Sequence, residues 1–348
     1  MDLNFTVIKK LPPIEDIIAR YPLSKEAEAR ITKDRKEVRD ILAGRDDRLL
    51  LVVGPCSAWP REEVITYAKR LKKLSDEVKD KLKIVMRVYI QKPRTIKGWL
   101  GPVNQPDPFE APDIPAGAAY CRDMMVQVVE LGVPIADEAV FTHNAKGFAE
   151  LLTWMAIGAR SVEDQEHRIF ASGTDCPVGM KNGTTGSIEV AVNGIVAAQH
   201  KHHATWGGDQ VETKGNLYAH LVLRGGASGP NYGVEHIMEA KKLFEKHKVH
   251  NPAIIIDASH DNSKIGATKD PKRQSMVVEE VLAVMRVNPD VRKLVKGFMV
   301  ESFIKEGSQK VESTTPETIQ RGLSITDPCL GWEATEKLIR EMAAHESR

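Results

Sequence analysis

The sequence has few cysteines, few aromatic residues, no excess of either charge and no long apolar run. Cysteine accounts for 4 of its 348 residues, and 5% of the residues are aromatic. So few cysteines in a chain of this length exclude a disulfide-stapled scaffold. Lys and Arg together number 49 against 48 Asp and Glu, a formal net charge of +1. That balance argues against a nucleic-acid-binding protein, although it permits a local basic pocket.

The apolar runs are much shorter than the roughly 20 residues that a membrane-spanning helix needs. The first residues, MDLNFTVIKKLPP, contain no apolar signal-peptide core. Hydrophobic residues make up 42% of the chain and charged residues 28%, which favours a sizeable core over disorder. We therefore expect a protein of a reducing compartment, most simply the cytoplasm, with no membrane partner.

The chain divides into an N-terminal extension and a larger domain. Residues 1–47 are polar and charged, with a helical pattern in SKEAEARITKDRKEVRDILAG. From residue 48 onward, short apolar runs alternate with amphipathic stretches, and the chain closes with a helical pattern near GWEATEKLIREMAAH. We predict one catalytic domain over residues 48–348.

Eight apolar runs are predicted to be strands: RLLLVVGPCS, KIVMRVYIQK, VPIADEAV, MAIGAR, CPVGMKNG, AHLVLRGG, AIIIDASH and LVKGFMVES. Most are continuously apolar, which is typical of strands buried on both faces of a parallel sheet. Helical patterns lie between most of them: EEVITYAKRLKKL, NAKGFAELLTW, SIEVAVNGIVAA, VEHIMEAKKLFEKH and KRQSMVVEEVLAVMR. This alternation predicts an α/β fold, a (β/α)8 TIM barrel. A doubly wound open sheet is the alternative, although no GxGxxG follows the first strand.

Each predicted strand ends in, or is followed at once by, side chains that can do chemistry. In chain order they are Cys56; Arg87, Lys92, Arg94 and Thr95; Asp137 and Glu138; Arg160; Lys181; Arg224; Asp257, Ser259 and His260; and Glu301. The active sites of such barrels lie at the C-terminal ends of the strands. Eight strand ends with this property indicate one converging pocket.

Six of these residues are cations, and they suit anionic groups. Arginine offers a bidentate fork and lysine a point charge to phosphate or carboxylate. Any one of them alone is more simply a solvated loop residue. The set predicts a polyanionic small-molecule ligand, bound through Arg87, Lys92, Arg94, Arg160, Lys181 and Arg224.

A second group can ligate a metal. Cys56, His260 and Glu301, with Asp327 from SITDPCLGW, offer a thiolate, an imidazole and two carboxylates, a mixed donor set for a divalent transition metal. Taken singly, the cysteine and the histidine are more simply buried core residues. Their placement on the first, seventh and eighth strands, which are neighbours in a closed barrel, favours the metal site.

Several ordered blocks carry a family resemblance: GPCS at 54–57, MRVYIQKPRT at 86–95, AIGAR at 156–160, CPVGMKNGTTG at 176–186, LRGG at 223–226, DASHDNS at 257–263, VES at 300–302 and SITDPCLGWE at 324–333. The chain resembles the class I 3-deoxy-D-arabino-heptulosonate 7-phosphate (DAHP) synthases. More specifically, it is similar to their bacterial and fungal feedback-regulated group, over nearly its whole length.

The resemblance implies a transferase that condenses phosphoenolpyruvate with erythrose 4-phosphate and releases phosphate, the entry step of the shikimate pathway. It implies a divalent metal on Cys56, His260, Glu301 and Asp327, with Mn²⁺ expected and Co²⁺, Fe²⁺ or Zn²⁺ as alternatives. Phosphoenolpyruvate binding is implied for Arg87, Lys92, Arg160, Lys181 and Arg224, beside the Gly158–Ala159 backbone. Arg94 and Thr95 of the KPRT block would hold the aldose phosphate.

Further expectations concern catalysis and assembly. We expect Glu138 to handle the attacking water and Lys92 to deliver a proton to the new alkoxide. Residues 1–47 resemble the arm that helps such enzymes form homodimers or homotetramers, so we expect self-association. No nucleic-acid partner is expected.

Three departures from the family pattern affect specificity and regulation. Ala58, Trp59 and Pro60 follow GPCS in place of an Ile-His-Asp-like triplet, and the loop 100–116 has Leu100 in place of lysine and extra prolines. The stretch before LRGG, which contributes a hairpin to the aromatic amino-acid site in relatives, is shorter than expected, and Asp175 replaces a common serine. We therefore expect weak or absent inhibition by Phe, Tyr or Trp.

Two other functions compete with this interpretation. A homologue of secondary metabolism that condenses phosphoenolpyruvate with a different aldose is favoured by the altered loop at 100–116. A non-catalytic binding protein on the same fold would be expected to lack a metal ligand or a phosphate-binding cation. Every matched position is filled in this chain, which argues against the second of these.

Overall fold

A computed structural model describes residues 4–266 and 268–345 of the chain. Its strands are β1 (Leu49–Gly54), β2 (Leu82–Arg87), β3 (Ile135–Ala139), β4 (Leu152–Ile157), β5 (Val178–Lys181), β6 (His203–Trp206), β7 (Asp209–Glu212), β8 (His220–Leu223), β9 (Ile254–Asp257), β10 (Lys264–Ile265), β11 (Thr268–Lys269) and β12 (Val295–Glu301). Its α-helices are α1 (Ile14–Arg20), α2 (Lys25–Leu42), α3 (Arg61–Val78), α4 (Ile114–Glu130), α5 (Gln165–Gly173), α6 (Ile188–Gln199), α7 (Val234–His247), α8 (Arg273–Val287), α9 (Pro289–Leu294) and α10 (Trp332–His345).

Eight of the strands form a closed parallel barrel. They are hydrogen-bonded in the order β1-β12-β9-β8-β5-β4-β3-β2, and β12 pairs with β1 to close the ring. The strand pairs β6–β7 and β10–β11 form two separate antiparallel hairpins. All eight runs predicted to be strands are barrel strands, so the predicted (β/α)8 barrel is confirmed and the open sheet is wrong.

The apolar runs are continuous because each barrel strand has two buried faces. In β1, Leu50 and Val52 join the core inside the barrel, whereas Leu51 and Val53 join the core between the strands and the surrounding helices. A half-exposed sheet would need polar residues at alternate positions. Burial on both sides leaves the C-terminal strand ends as the place for polar side chains.

The prediction of a helix from the pattern NAKGFAELLTW is wrong. Residues 142–144 and 149–151 form short 3-10 turns, and the last part of the pattern is the start of β4. Arg35 of α2 donates from Nη2 to the carbonyl oxygens of Ala149 and Glu150, and from Nε to that of Leu152. Arg35 therefore bonds to the carbonyls of a single 3-10 turn, in which the Leu152 amide also donates to the Ala149 carbonyl, and no longer helix continues from it.

Helix α2 covers the N-terminal end of the barrel. Val38, Ile41 and Leu42 are buried in the same cluster as the inward-facing strand residues. Lys83 of β2 lies beneath them, with Nζ 2.5 Å from Asp34 Oδ1 and 2.8 Å from a carboxylate oxygen of Glu37. These contacts tie part of the predicted extension 1–47 to the barrel core.

The helices of residues 4–266 and 268–345 lack the combination of length and apolar character that crossing a bilayer requires.

Candidate active site

The strand ends bring three predicted metal ligands together. Cys56 lies just beyond β1, and Glu301 is the last residue of β12, paired in register with Gly54. Asp327 comes from the segment after β12, which folds back so that the Leu330 amide donates to the Glu301 carbonyl at 2.9 Å. The ligand atoms of Cys56, Glu301 and Asp327 all lie within 4.8 Å of one another.

His260, the fourth predicted ligand, is not among the residues whose ligand atoms all lie within 4.8 Å of one another, although it lies beside them. Its Nε2 is 3.8 Å from Glu301 Oε1. Its Nδ1 is 2.9 Å from Asp257 Oδ2 and 2.7 Å from Ser259 Oγ. A carboxylate behind the ring is the usual partner that orients a metal-binding imidazole, so Asp257 directs Nε2 toward the other donors.

The residues present fit a divalent transition-metal ion. Glu301 is fully buried, and its Oε2 has no hydrogen-bond partner among the residues that the structure describes. An unpaired buried carboxylate oxygen is costly, and a bound cation would satisfy it. A donor set of thiol, imidazole and carboxylate suits manganese, iron, cobalt or zinc, whereas calcium and magnesium prefer oxygen ligands alone.

Lys269 is part of this site and was not predicted from the sequence. The hairpin β10–β11 places its Nζ 2.5 Å from Asp327 Oδ2. Burial opposes the ionisation of Asp327, but Lys269 and His260 hold its pKa well below the usual value. The carboxylate of Asp327 is therefore ionised and ready to bind a cation.

Lys92 lies between the predicted metal ligands, here called the metal-binding group, and the other predicted anion-binding residues, here called the cationic pocket. Its Nζ donates to the Cys56 carbonyl at 2.7 Å and lies 3.3 Å from Cys56 Sγ. Burial works against its charge, but Cys56 and Glu301 outweigh that effect and raise the pKa of Lys92. The lysine is therefore charged and lies directly beside a predicted metal ligand.

Arg87 is fully buried beside Glu301. Its Nη2 lies 3.0 Å from Glu301 Oε1, and its Cζ lies 3.8 Å from the centroid of the Tyr89 ring. Although burial opposes a charge here, Tyr89 and Glu301 together raise the pKa of Arg87. The guanidinium thus supplies a fixed positive charge below the pocket.

Glu138, Lys181 and Asp257 form a buried row across β3, β5 and β9. Lys181 Nζ is 3.2 Å from Asp257 Oδ2 and 3.7 Å from Glu138 Oε2. Burial opposes the charge of Glu138, but Lys181 and Lys92 lower its pKa. Gly158 gives this carboxylate its space, because a Cβ at Gly158 would lie 2.4 Å from Glu138 Oε1.

The remaining predicted anion-binding residues surround the mouth of the barrel. Arg224 is buried and lies 2.6 Å from Asp261 Oδ2. Arg160 is exposed, and its Nη2 donates to Thr95 Oγ at 3.1 Å. Arg94 is also exposed, in the same loop as Thr95. The predicted subsites for phosphoenolpyruvate and the aldose phosphate are therefore adjacent.

Two of the departures from the family pattern contact each other. Trp59 Nε1 donates to the Pro106 carbonyl at 3.0 Å, so the residues after Cys56 fasten the loop 100–116. Trp99, which directly precedes this loop, donates from Nε1 to the Gln105 carbonyl at 2.8 Å. The Lys92 amide donates to the Leu100 carbonyl at 2.9 Å, which couples the loop to a predicted catalytic residue.

Comparison with known proteins places this geometry in a family. The model of the DAHP synthetase I family matches residues 21–340. The chain belongs to this family. Its sequence is 41% identical over 334 residues to the Tyr-sensitive phospho-2-dehydro-3-deoxyheptonate aldolase of Escherichia coli K12, covering 94% of this chain and 91% of the relative.

Other members of the family are about as similar. The Phe-sensitive enzyme of Escherichia coli K12 is 40% identical, over 98% of this chain and 96% of the relative. The Trp-sensitive one is 38% identical, over 99% and 97%. A solved structure of phospho-2-dehydro-3-deoxyheptonate aldolase from Francisella tularensis superposes with a TM-score of 0.92 at 36% identity, covering 99% of both chains.

Proposed function

We propose that this member of the DAHP synthetase I family condenses phosphoenolpyruvate with erythrose 4-phosphate and releases inorganic phosphate, the first step toward the aromatic amino acids. The observation that carries the proposal is the contact of Lys92 Nζ with Cys56, 2.7 Å from its carbonyl and 3.3 Å from its Sγ. There, the cationic pocket meets the metal-binding group. The names of the similar proteins support the same reaction.

The two anionic substrates would both bind to the cations at the C-terminal ends of the barrel strands. Phosphoenolpyruvate would bind through its carboxylate and phosphate, and the aldose would bind through its phosphate to Arg94 and Thr95. The hydrogen bond from Arg160 to Thr95 supports two adjoining phosphate subsites. The phosphoenolpyruvate ligands are Arg87, Lys92, Arg160, Lys181 and Arg224, with the backbone of Gly158 and Ala159.

The side chains of this site suit the bond changes. A divalent ion on Cys56, His260, Glu301 and Asp327 would act as a Lewis acid on the aldehyde oxygen. The methylene carbon of phosphoenolpyruvate attacks the aldehyde carbon, which leaves a positive charge on the neighbouring carbon, and Lys92 gives a proton to the new alkoxide. Water then adds to the carbon that carries the phosphate ester, Glu138 takes a proton from that water, and phosphate leaves.

The altered loop at 100–116 supports a second candidate for the aldose substrate. Its attachment to Trp59 and Lys92 favours a difference at the aldose subsite, so a different aldose of secondary metabolism is the competing proposal.

In the experiment that tests the two proposals, purified manganese-loaded protein is incubated with phosphoenolpyruvate and either erythrose 4-phosphate or other aldose phosphates, and the products are identified by mass. A seven-carbon phosphorylated product supports the proposal. Turnover with another aldose alone supports its competitor.

Replacing Glu138 by Gln is expected to lower kcat by about a hundredfold to a thousandfold, because the amide cannot take the proton of the attacking water. The KM for phosphoenolpyruvate should stay within about threefold, since the amide keeps the size and hydrogen-bonding shape of the carboxyl group. Steady-state kinetics at saturating aldose separates the two constants.

Glu341→Gln, on α10 outside the barrel, is the matched control, and it should leave both constants unchanged. A Glu138→Gln enzyme with wild-type kcat would remove Glu138 from the water-activating role.

We also propose that aromatic amino acids inhibit this chain weakly or not at all, although similar proteins are named Tyr-, Phe- and Trp-sensitive. Asp175, at a position where we expect a serine in relatives, pairs with Arg35 at 3.0 Å and with Arg39 at 2.8 Å. This charged cluster supports the proposal that the effector site does not accept an aromatic amino acid. Phe, Tyr and Trp at about 1 mM should each lower turnover by less than twofold, which corresponds to a Kd above that concentration. A saturating inhibition curve below it would contradict the proposal.

Manganese as the native ion, assembly into homodimers or homotetramers through residues 1–47, and a cytoplasmic location stay predictions.

A further inference from the structure

The backbone ladder between β2 and β3 stops short of the predicted catalytic groups. The two strands pair only at Met86 with Ile135 and at Arg87 with Ala136. One more bond follows, from the Val88 amide to the Ala136 carbonyl at 2.8 Å. Lys92 lies beyond this bond, and Glu138, which pairs in register with Ala156 of β4, has no further ladder bond to β2.

Two side chains continue the connection where the ladder ends. Asp137 Oδ1 accepts from the Ile90 amide at 3.2 Å and from the Glu138 amide at 2.8 Å. Gln91 Oε1 accepts in the opposite direction, from the Phe141 amide at 3.3 Å. Each segment therefore supplies one side chain that bonds to the backbone of the other.

We propose that Asp137 and Gln91 are positioning residues, whose paired side-chain bonds hold Lys92 and Glu138 at a fixed spacing. This inference rests on the proposed function, because it assigns the two residues a role through Lys92 and Glu138. Lys92 directly follows Gln91, and Glu138 directly follows Asp137. A shift in the hydrogen bonds of Asp137 or Gln91 would therefore move Glu138 or Lys92. A displacement of about 1 Å can lower the rate by about a hundredfold.

The surroundings favour positioning over simple packing. Asp137 is 7% exposed and Gln91 is 5% exposed, and both line a small cavity with apolar residues that include Phe148 and Met155. Within the described part of the chain, Gln91 Nε2 has no hydrogen-bond partner. A buried donor without a partner is destabilising, so an apolar side chain would pack better here. The polar side chains are explained by the backbone amides that they bind.

The test compares Asp137→Leu with Asp137→Asn, which have similar shapes but differ in their ability to accept hydrogen bonds. We expect Asp137→Leu to lower kcat by about a hundredfold and to leave the KM for phosphoenolpyruvate within about threefold. Asp137→Asn should restore kcat to within about threefold, because its amide oxygen accepts from the same two amides. Gln91→Leu should lower kcat as well, and the double variant should be non-additive.

Amide hydrogen exchange provides a readout that does not depend on turnover. The Ile90 and Glu138 amides should exchange slowly in the wild-type chain and faster in Asp137→Leu, and this holds even if no aldose is turned over and the proposed function fails. Wild-type kcat in both Asp137→Leu and Gln91→Leu would overturn the inference, as would an Asp137→Asn variant as slow as Asp137→Leu. If Asp137→Leu does not fold, the inference is tested by Gln91→Leu and by the wild-type chain. A lowered kcat in Gln91→Leu and slow exchange of the Ile90 and Glu138 amides support it, and the opposite results would overturn it.

Discussion

Replacing Cys56 by Ser is expected to abolish stoichiometric metal binding and to lower turnover by about a thousandfold. Cys56 supplies the only sulfur ligand of the group, and its Sγ lies within 4.8 Å of the ligand atoms of Glu301 and Asp327. A hydroxyl group keeps the size but is a weak ligand at neutral pH. Loss of Lewis-acid assistance is worth several kcal/mol, and about 4 kcal/mol corresponds to a thousandfold in rate.

The measurement is metal content after loading with manganese and removal of free ion, together with the rate of product formation. Cys176→Ala is the matched control, since Cys176 is equally buried but precedes β5 at the opposite end of that strand from Lys181. It should lose some stability and keep its metal. A Cys56→Ser protein that binds manganese as tightly as the wild type would contradict the assignment.

The second large effect is expected for Lys92→Met, with a fall in kcat of about a thousandfold and retention of the metal. Lys92 Nζ lies 3.3 Å from Cys56 Sγ but is not a ligand itself. General acid catalysis contributes about a hundredfold to ten-thousandfold, and loss of the phosphoenolpyruvate contact adds to this. Lys92→Arg should recover substrate binding without recovering kcat, because arginine keeps its proton.

Lys97→Met controls for the loss of a positive charge from the same loop, since Lys97 is exposed. It should change kcat by less than about threefold. Single-turnover experiments with metal-loaded protein separate the chemical step from binding. A Lys92→Met enzyme that binds phosphoenolpyruvate poorly yet turns over normally at saturation would show that Lys92 serves binding alone.

The sequence predicted the barrel well because strand burial leaves a plain signal. The run LLLVVG contains no polar side chain, and IIID is apolar up to its final residue, Asp257, so polar side chains begin where these strands end. That regularity also placed Cys56, Glu301 and His260 at the ends of three neighbouring strands, where the structure has them.

Contacts between distant segments left no comparable signal. The pattern around Phe148 and Leu151 is helix-like, but the carbonyls there bond to Arg35, which lies more than a hundred residues earlier. Lys269 reaches Asp327 only because β10 and β11 form a hairpin. Neither Arg35 nor Lys269 lies at the end of a barrel strand, so the pattern of polar residues at strand ends does not indicate them.

The most direct test of the account is a manganese titration of metal-stripped protein in the presence of phosphoenolpyruvate and erythrose 4-phosphate. We expect no product without metal and a seven-carbon phosphorylated product whose rate of formation rises with bound metal up to one ion per chain. Equal product formation by stripped and loaded protein would contradict the metal site at Cys56, Glu301 and Asp327. No product at any metal occupancy would contradict the proposed reaction itself.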